Sequence, residues 1–422
     1  MKTIKIALLG CGTVGSGVIE LLAQNRDIIS SKTGVLLEIA AVYVRDLSKN
    51  YNVDSTLLTT DVKTIFENPE IQIVLELTNG VEPATSFLLR AMRAGKHVIT
   101  ANKAAVAANY SELMATSAEN HVMLRYEAAV AGGIPILDAL QAPLNSNDIE
   151  EVNGIINGTT NFILTGMTEK NWNYKEALAL AQKKGFAEAD PTADVEGIDA
   201  ANKLAILTAI AFGKVVEVAD IPTHGISNLS VEDIKMANNL GYTIKLLAAT
   251  KKINNRLQLS VGPTLVDKNH LLASVRNEMN AVFVRGNAVG ELIFHGAGAG
   301  GLPTASAVVG DVIEISNAIQ KGSAFDSYIN QIMVTNTQLN LVGEGENRYY
   351  VRLLGENKPG VLGQITTSLG KFGLLITGVL QPETAADRAM MIFTFDKIDR
   401  NQLDKALSEL TNIDIKAVMK IL

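Results

Sequence analysis

A glycine pattern near the N-terminus narrows the possible folds of this chain more than anything else in it. Gly10-Cys11-Gly12-Thr13-Val14-Gly15 fits G-x-G-x-x-G. It follows residues 4–9, a short apolar run with β-branched members that reads as a buried parallel strand. Residues 13–23 then read as a helix, with Val14, Val18, Leu21 and Leu22 on one face. In a strand–turn–helix of this kind the first glycine permits the tight turn. The second lets backbone approach a pyrophosphate, and the third lets helix and strand pack closely. The helix start offers unpaired N–H groups to phosphate oxygens. Gly10, Gly12, Thr13, Val14 and Gly15 are therefore candidate dinucleotide-binding residues. The plain alternative is a strand-to-helix turn with no ligand. Cys11, inside the loop, is assigned no chemistry.

The pattern continues for about 125 residues. Strands are expected at 36–44, 71–77, 97–100 and 122–126, with helices at 83–94 and 104–120. This alternation predicts a doubly wound parallel sheet, a Rossmann-type domain over residues 1–130. The second strand ends at Arg45-Asp46. An acidic residue at that point holds a ribose hydroxyl, whereas an arginine suits a 2′-phosphate. Arg45 thus favours NADP(H), with NAD(H) as the alternative.

After Gly132-Gly133 the strands become sparser, at 150–156, 257–262 and 281–284, between helices at 174–184, 198–212 and 231–249. A second α/β domain over 131–334 is expected, for substrate and for oligomerisation. It carries a glycine-rich loop from Gly296 to Gly301 and a helix over about 304–319 that returns to the first domain. Residues 335–347 read as a polar linker. Residues 349–422 then read strand, helix, strand, strand, helix, strand, with strands at 350–354, 374–380, 389–395 and 415–421 and helices at 361–370 and 401–411. That βαββαβ order is ferredoxin-like.

Composition excludes several classes. A net charge of −7 over 422 residues disfavours nucleic acid or an anionic membrane as the main partner. One cysteine allows no internal disulfide and no thiolate-rich zinc site. The five histidines, His97, His121, His224, His270 and His295, are scattered without a metal-binding spacing. The best apolar run, 204–212, falls short of a membrane span. The N-terminal apolar stretch superficially resembles a signal peptide, but Gly10, Gly12 and Gly15 interrupt it. A cytoplasmic location is expected.

Five stretches, taken in order, resemble homoserine dehydrogenase. They are Thr100-Ala101-Asn102-Lys103, the run from Tyr126 to Pro135, and Asn157-Gly158-Thr159-Thr160-Asn161. The other two are the run from Gly185 to Lys203 (GFAEADPTADVEGIDAANK) and the loop from Gly296 to Ser306. The likeness spans roughly residues 1–330, and the C-terminal unit resembles an ACT domain. No kinase-like region precedes the first strand, so the monofunctional form is the one resembled. The resemblance implies reversible reduction of L-aspartate 4-semialdehyde to L-homoserine with a nicotinamide cofactor, on the route to threonine, methionine and isoleucine.

Hydride delivery to an aldehyde leaves charge on oxygen, which needs stabilisation and a proton. Lys203 suits both tasks, and the resemblance places the catalytic lysine there. Asp199 lies four residues earlier on the same helical face and would orient or balance it. Outside the motif, this pair would read as a surface ion pair. The resemblance implies that Glu188 takes the substrate ammonium; Asp194, one of several carboxylates crowding the same stretch, is a secondary substrate-binding candidate, and Gly158 and Thr159 offer donors near the substrate or simply form a turn. It places Lys103, at the carboxyl edge of the sheet, between cofactor and substrate, a candidate catalytic and cofactor-binding residue that would hold the substrate carboxylate or assist the carbonyl, and Gly300 against the cofactor. Glu127, Val130, Gly132 and Ile134 resemble a monovalent-cation site, one carboxylate plus carbonyl oxygens suited to Na⁺. A glycine-rich domain crossover is the plainer reading.

In Asn357-Lys358-Pro359-Gly360-Val361-Leu362, Asn357 replaces the usual aspartate of the ACT turn. An amino-acid effector such as threonine is expected there, or a purely structural pairing module; either way the chain is expected to be a homo-oligomer, a dimer or tetramer. Two rival readings stand. One is an NADP-dependent reductase of another small amino-acid semialdehyde or keto acid. The other is an amino-acid-sensing protein with a degenerate enzyme body.

Overall fold

The computed structural model describes residues 2–51, 53–322 and 338–422. Contacts divide the chain into two compact units. The first comprises Met1–Val152, Asn202–Ala219 and Asn280–Gln338; the second comprises Asn153–Ala201, Asp220–Met279 and Leu339–Leu422.

In the first unit, β1 (Lys2–Leu9), β2 (Val35–Tyr43), β3 (Leu58–Thr59), β4 (Ile71–Glu76), β5 (His97–Thr100) and β6 (Leu124–Arg125) form a parallel sheet in the order β3-β2-β1-β4-β5-β6. Ile4, Ile6, Ala7, Leu8 and Leu9 are fully buried, as expected of a strand covered on both faces. The chain reverses its direction of winding between β1 and β4, and ligands of such sheets bind beyond the carboxyl ends of the strands at that point. The helix Gly301–Lys321 belongs to the same core. Its Ala305, Val308, Val312 and Ile315 pack with Ile4, Leu8, Val18 and Leu75. Gly301 lies so close to the helix Thr13–Gln24 that a Cβ on Gly17 would stand 2.7 Å from the Gly301 carbonyl oxygen.

Several elements differ from expectation. The single helix expected over 104–120 is two, Lys103–Ala108 and Tyr110–Glu119, divided at Asn109. The Asn109 amide donates to Thr85 Oγ1 and back to the Ala105 carbonyl, drawing the chain out of helical register. Asn157 opens an unforeseen helix, Gly158–Lys170.

Further along run β7 (Ile149–Ile155), β8 (Tyr242–Ile253), β9 (Arg256–Asp267), β10 (Met279–Gly286) and β11 (Gly290–Ala297). The helix expected over 231–249 ends at Asn239, and its remainder is β8. β8 pairs antiparallel with β9 along its whole length, from Tyr242↔Asp267 to Ile253↔Arg256. Tertiary pairing thus overrides the helix preference of Lys245-Leu246-Leu247-Ala248-Ala249. The glycine-rich stretch is partly strand, because β11 runs through Gly296 to Ala297 and the helix begins at Gly301 rather than near Thr304.

In the second unit, β12 (Asn340–Leu341), β13 (Glu346–Glu356), β14 (Ile376–Leu380), β15 (Arg388–Asp399) and β16 (Asp414–Ile421) follow, with helices Val361–Lys371 and Arg400–Ser408. The order β16-β13-β15-β14, all antiparallel, is ferredoxin-like. Tyr349, Val351, Phe393 and Phe395 from the strands pack on Ile365, Leu369, Leu403 and Leu407 from the helices. β16 also pairs parallel with β9, Lys420↔Thr264 and Ile421↔Leu265, and β12 pairs with β9 as well. Asn340, Leu341, Glu346 and Asn347 of the expected linker are therefore strand; its residues 335–337 lie outside the described residues. The Arg352 guanidinium meets the fully buried Asp233 at 2.6 Å (Nε to Oδ1) and 2.8 Å (Nη2 to Oδ2). Glu344 accepts from the Tyr349 hydroxyl at 3.0 Å and lies 2.9 Å from His224 Nε2. Burial pushes its pKa upward, but the His224 hydrogen bond and the Lys420 and Arg400 charges win and hold it at about 2.

Candidate active site

The glycine loop joins β1 to the helix Thr13–Gln24. Gly10 has φ +108°, where L side chains are strained, and a Cβ there would stand 2.9 Å from the Leu77 carbonyl oxygen. A Cβ on Gly15 would stand 2.5 Å from the Gly10 carbonyl oxygen, whereas Gly12 faces open space. Gly12 and Thr13 are exposed, no side chain caps the helix start, and its first turn carries no acid. The loop therefore has close packing below and room for an anion above. Arg45, just past β2, is exposed. Its neighbour Asp46 is committed to Ser48, accepting from the backbone N–H at 2.9 Å and the hydroxyl at 2.6 Å. Gly300, with φ +117°, is exposed at the start of the helix Gly301–Lys321.

At the carboxyl ends of β4 and β5 a polar network sets the start of the Lys103 helix. Buried Glu76 accepts from the Thr78 N–H at 2.7 Å and the Thr100 hydroxyl at 2.7 Å. Burial, set against those bonds, raises its pKa. Thr100 Oγ1 accepts from the Asn102 N–H at 2.9 Å. The Asn102 amide donates to the Gly80 carbonyl at 2.7 Å, while its oxygen caps the helix by accepting from the Ala105 N–H at 3.1 Å. Lys103 is the first residue of that helix and is half-buried.

In the second unit Asn157 gathers two of the expected site carboxylates. Its Nδ2 donates to Asp194 Oδ1 at 2.7 Å and to Asp199 Oδ2 at 3.0 Å. Thr159 Oγ1 lies 2.6 Å from the Phe186 carbonyl and 3.1 Å from Asp194 Oδ2, its one proton serving one acceptor at a time. Gly158 is the first residue of that helix. Glu188 is exposed on the 185–190 loop, whose backbone Gln182 holds through the Glu188 carbonyl at 3.1 Å. Asp199 and Lys203 stand one turn apart on the helix Ile198–Phe212, and both are buried, 9% and 8% exposed. Charged residues this enclosed are rarely ornamental, because desolvation must be offset by partners.

Glu127, Val130, Gly132 and Ile134 are all buried in the first unit. The Glu127 carboxylate accepts from the Leu137 N–H at 2.9 Å and the Asp138 N–H at 2.7 Å, capping the helix Ile136–Gln141. Nearby, Arg125 Nε contacts Asp311 at 3.3 Å, and its Nη2 contacts Asp138 and, at 2.5 Å, Glu314. One guanidinium thus stands among four carboxyl groups. Burial first, then the Asp138 and Asp311 charges, push Glu127 up to about 8; burial, opposed by Arg125, pushes Asp311 up to about 7. Asp138, Asp311 and Glu314 have metal-like spacing, but Arg125 already engages all three.

Sequence reasoning passed over the roles of Glu76, Asn157 and the Arg125 cluster. Asn157 had a usable signal, an asparagine directly after a strand and before Gly-Thr-Thr, the place of a helix cap. Glu76 had a weaker one, a carboxylate closing an apolar strand.

Comparison with known proteins accords with this arrangement. The family profile described as "Homoserine dehydrogenase" matches residues 135–313, and that described as "Homoserine dehydrogenase, NAD binding domain" matches residues 10–127. A homoserine dehydrogenase of Bacillus subtilis is 40% identical, over 90% of this chain and 88% of its own. One of Corynebacterium glutamicum is 41% identical, over 94% and 90%. A crystal structure of a homoserine dehydrogenase from Thiobacillus denitrificans superposes with TM-score 0.93 at 38% identity, covering 100% of this chain and 99% of that one. A hyperthermophilic archaeal homoserine dehydrogenase in complex with NADPH gives TM-score 0.62 at 27% identity, over 74% and 98%.

Proposed function

The chain belongs to the homoserine dehydrogenase family, and on that footing we propose how its own residues carry the reaction. It is an NAD(P)-dependent oxidoreductase acting on a CH–OH group, reducing L-aspartate 4-semialdehyde to L-homoserine and the reverse. A reduced nicotinamide, when bound, supplies the hydride. Lys203 supplies the proton that the carbonyl oxygen takes up, and its ammonium stabilises the charge before transfer. Asp199, one turn earlier, balances that ammonium. Glu188 and Asp194 take the substrate ammonium, Gly158 and Thr159 donate to substrate, and Lys103 holds its carboxylate. The observation that carries this reading is the cluster in which Asn157 brings Asp194 and Asp199 together beside Thr159.

NADP(H) is the preferred cofactor in this reading, held by Gly10, Gly12, Thr13, Val14, Gly15, Gly300 and Lys103, with Arg45 on the 2′-phosphate. Arg45 is exposed, while Asp46, the acid that would select NAD(H), is occupied by Ser48. The NADPH complex of the archaeal relative supports the same choice. Oxidation of NADPH and NADH, each followed with aspartate semialdehyde, tests it. Faster turnover with NADPH is expected; a rate no better than with unrelated aldehydes would remove the substrate assignment.

Three further proposals attach to this function. A sodium ion binds at Glu127 and the carbonyls of Val130, Gly132 and Ile134, a set of oxygen donors that suits a hard cation; replacing Na⁺ by tetramethylammonium should lower thermal stability. The C-terminal unit is an ACT domain taking a small amino acid such as threonine by the Asn357 turn. There a recess of about 360 Å³ is lined by Asn357, Lys358, Gly360, Gln381 and Met391. Threonine titrated against the whole enzyme and against Asn357→Ala tests this, and a flat response in both would leave the unit structural. The enzyme is a cytoplasmic homo-oligomer, dimer or tetramer. Its edge strand β14 exposes Val379 and Leu380 beside Leu375, which suits coverage by a second copy. Light scattering gives the subunit count. Among the described residues no helix is long and apolar enough to cross a membrane.

A further inference from the structure

Asn157 does two jobs with one amide. It follows β7 in extended conformation, φ −127° and ψ 112°, and caps the helix Gly158–Lys170. Its Oδ1 accepts from the Thr160 N–H at 2.8 Å and from the Thr160 hydroxyl at 3.0 Å. The Thr160 N–H settles which end of the amide faces the helix, because an NH₂ there would oppose a backbone donor. The nitrogen end is thereby aimed outward, and both its hydrogens are used, one on Asp194 and one on Asp199. The residue is 5% exposed, so water competes little for these bonds.

We infer that Asn157 is a positioning residue of this reaction: oriented by the helix it caps, its amide holds Asp194 and Asp199 as a preassembled pair of carboxylates. The inference rests on the reading above, in which Asp194 meets substrate and Asp199 serves Lys203. Two carboxylates close together repel, and one tends to take up a proton. A neutral group with two donors offsets that repulsion without adding a second cation beside Lys203 to compete with the substrate ammonium. Capping alone does not demand asparagine, since aspartate and serine cap comparably. Of these three, only asparagine supplies two N–H donors on the far side. The choice of residue therefore separates the two jobs.

Asn157→Asp and Asn157→Ser both keep the capping acceptor and remove the double donor. Measured in the whole enzyme, each should retain a cooperative unfolding transition and a KM for NADPH within about twofold of wild type, with kcat/KM for aspartate semialdehyde lowered about 10- to 100-fold. Asn157→Asp places a third carboxylate in the cluster, so the acidic limb of its kcat/KM profile should move up by about one pH unit or more. Wild-type kcat/KM with an unmoved limb in both folded variants would reduce Asn157 to a cap and overturn the inference. Loss of folding in both would also overturn it, because capping and clamping would then not be separable. The function itself is judged separately. Inactivity of the wild-type enzyme with the semialdehyde and either nicotinamide would sink that reading, whereas an active wild type, an inactive Lys203→Met and unaffected Asn157 variants would sink this inference alone.

Discussion

At the scale of single residues, the enclosure of the Asp199 and Lys203 pair bears on chemistry. Asp199 and Lys203 are almost fully enclosed, which a surface ion pair would not be. Lys203→Met should lower kcat by about 10²–10⁴-fold, the usual worth of a general acid, while NADPH binding by fluorescence titration stays near wild type. Undiminished turnover would remove Lys203 from the mechanism. Arg45→Ala should raise KM for NADPH about tenfold, consistent with loss of one charge-assisted hydrogen bond, and leave KM for NADH unchanged. An equal rise for both cofactors would place Arg45 elsewhere than at the 2′-phosphate.

At the scale of elements, close backbone approach sets the geometry of the cofactor loop. Gly17→Ala would push a Cβ to 2.7 Å from the Gly301 carbonyl oxygen and 3.2 Å from Ala305 Cβ. Backbone cannot swing aside as a side chain can, so a loss of about 1–3 kcal/mol is expected, visible as a lower Tm and weaker NADPH binding. Unchanged melting would mean that the two helices slide apart freely. The same scale shows what sequence reading catches. The parallel sheet and the C-terminal βαββαβ order were readable because their apolar runs are short, periodic and bounded by turn residues. β8 was missed because its Leu-Leu-Ala-Ala run favours helix in isolation, and only pairing with β9 decides otherwise. At the candidate site, Lys203 and Asp199 could be placed on one helical face by spacing. The convergence of Asn157 on Asp194 and Asp199 spans 37 and 42 residues, and no local pattern encodes it.

At the scale of the whole molecule, buried carboxyls of the two units contribute oppositely to pH dependence. Glu344 in the second unit has a depressed pKa, so its contribution is present above about 4.5 and is lost as pH falls toward about 2. Glu127 and Asp311 in the first unit have raised values, so the folded state favours their protonated forms. Their contribution is full below about pH 4, where the unfolded chain is protonated too, and is lost as pH rises from there to about 7 to 8. Asp311→Asn should therefore flatten the fall in Tm between about pH 4 and 7, as followed by scanning fluorimetry. An unaltered slope would place the proton elsewhere. Arg352→Ala should cost the second unit about 3–5 kcal/mol in denaturant titration, because it leaves Asp233 buried without its cation.

The helix Gly301–Lys321 lies late in the chain, yet Val308, Val312 and Ile315 complete the apolar layer that begins at Ile4. A ribosome making this protein therefore releases the nucleotide-binding sheet with that apolar layer only partly covered, by the helices that follow its first strand. It stays incomplete while about three-fifths of the remaining chain emerges. At the slow end of synthesis, about 5 residues per second, that wait lasts tens of seconds. Nascent chains stalled before this helix would be the ones that chaperones engage.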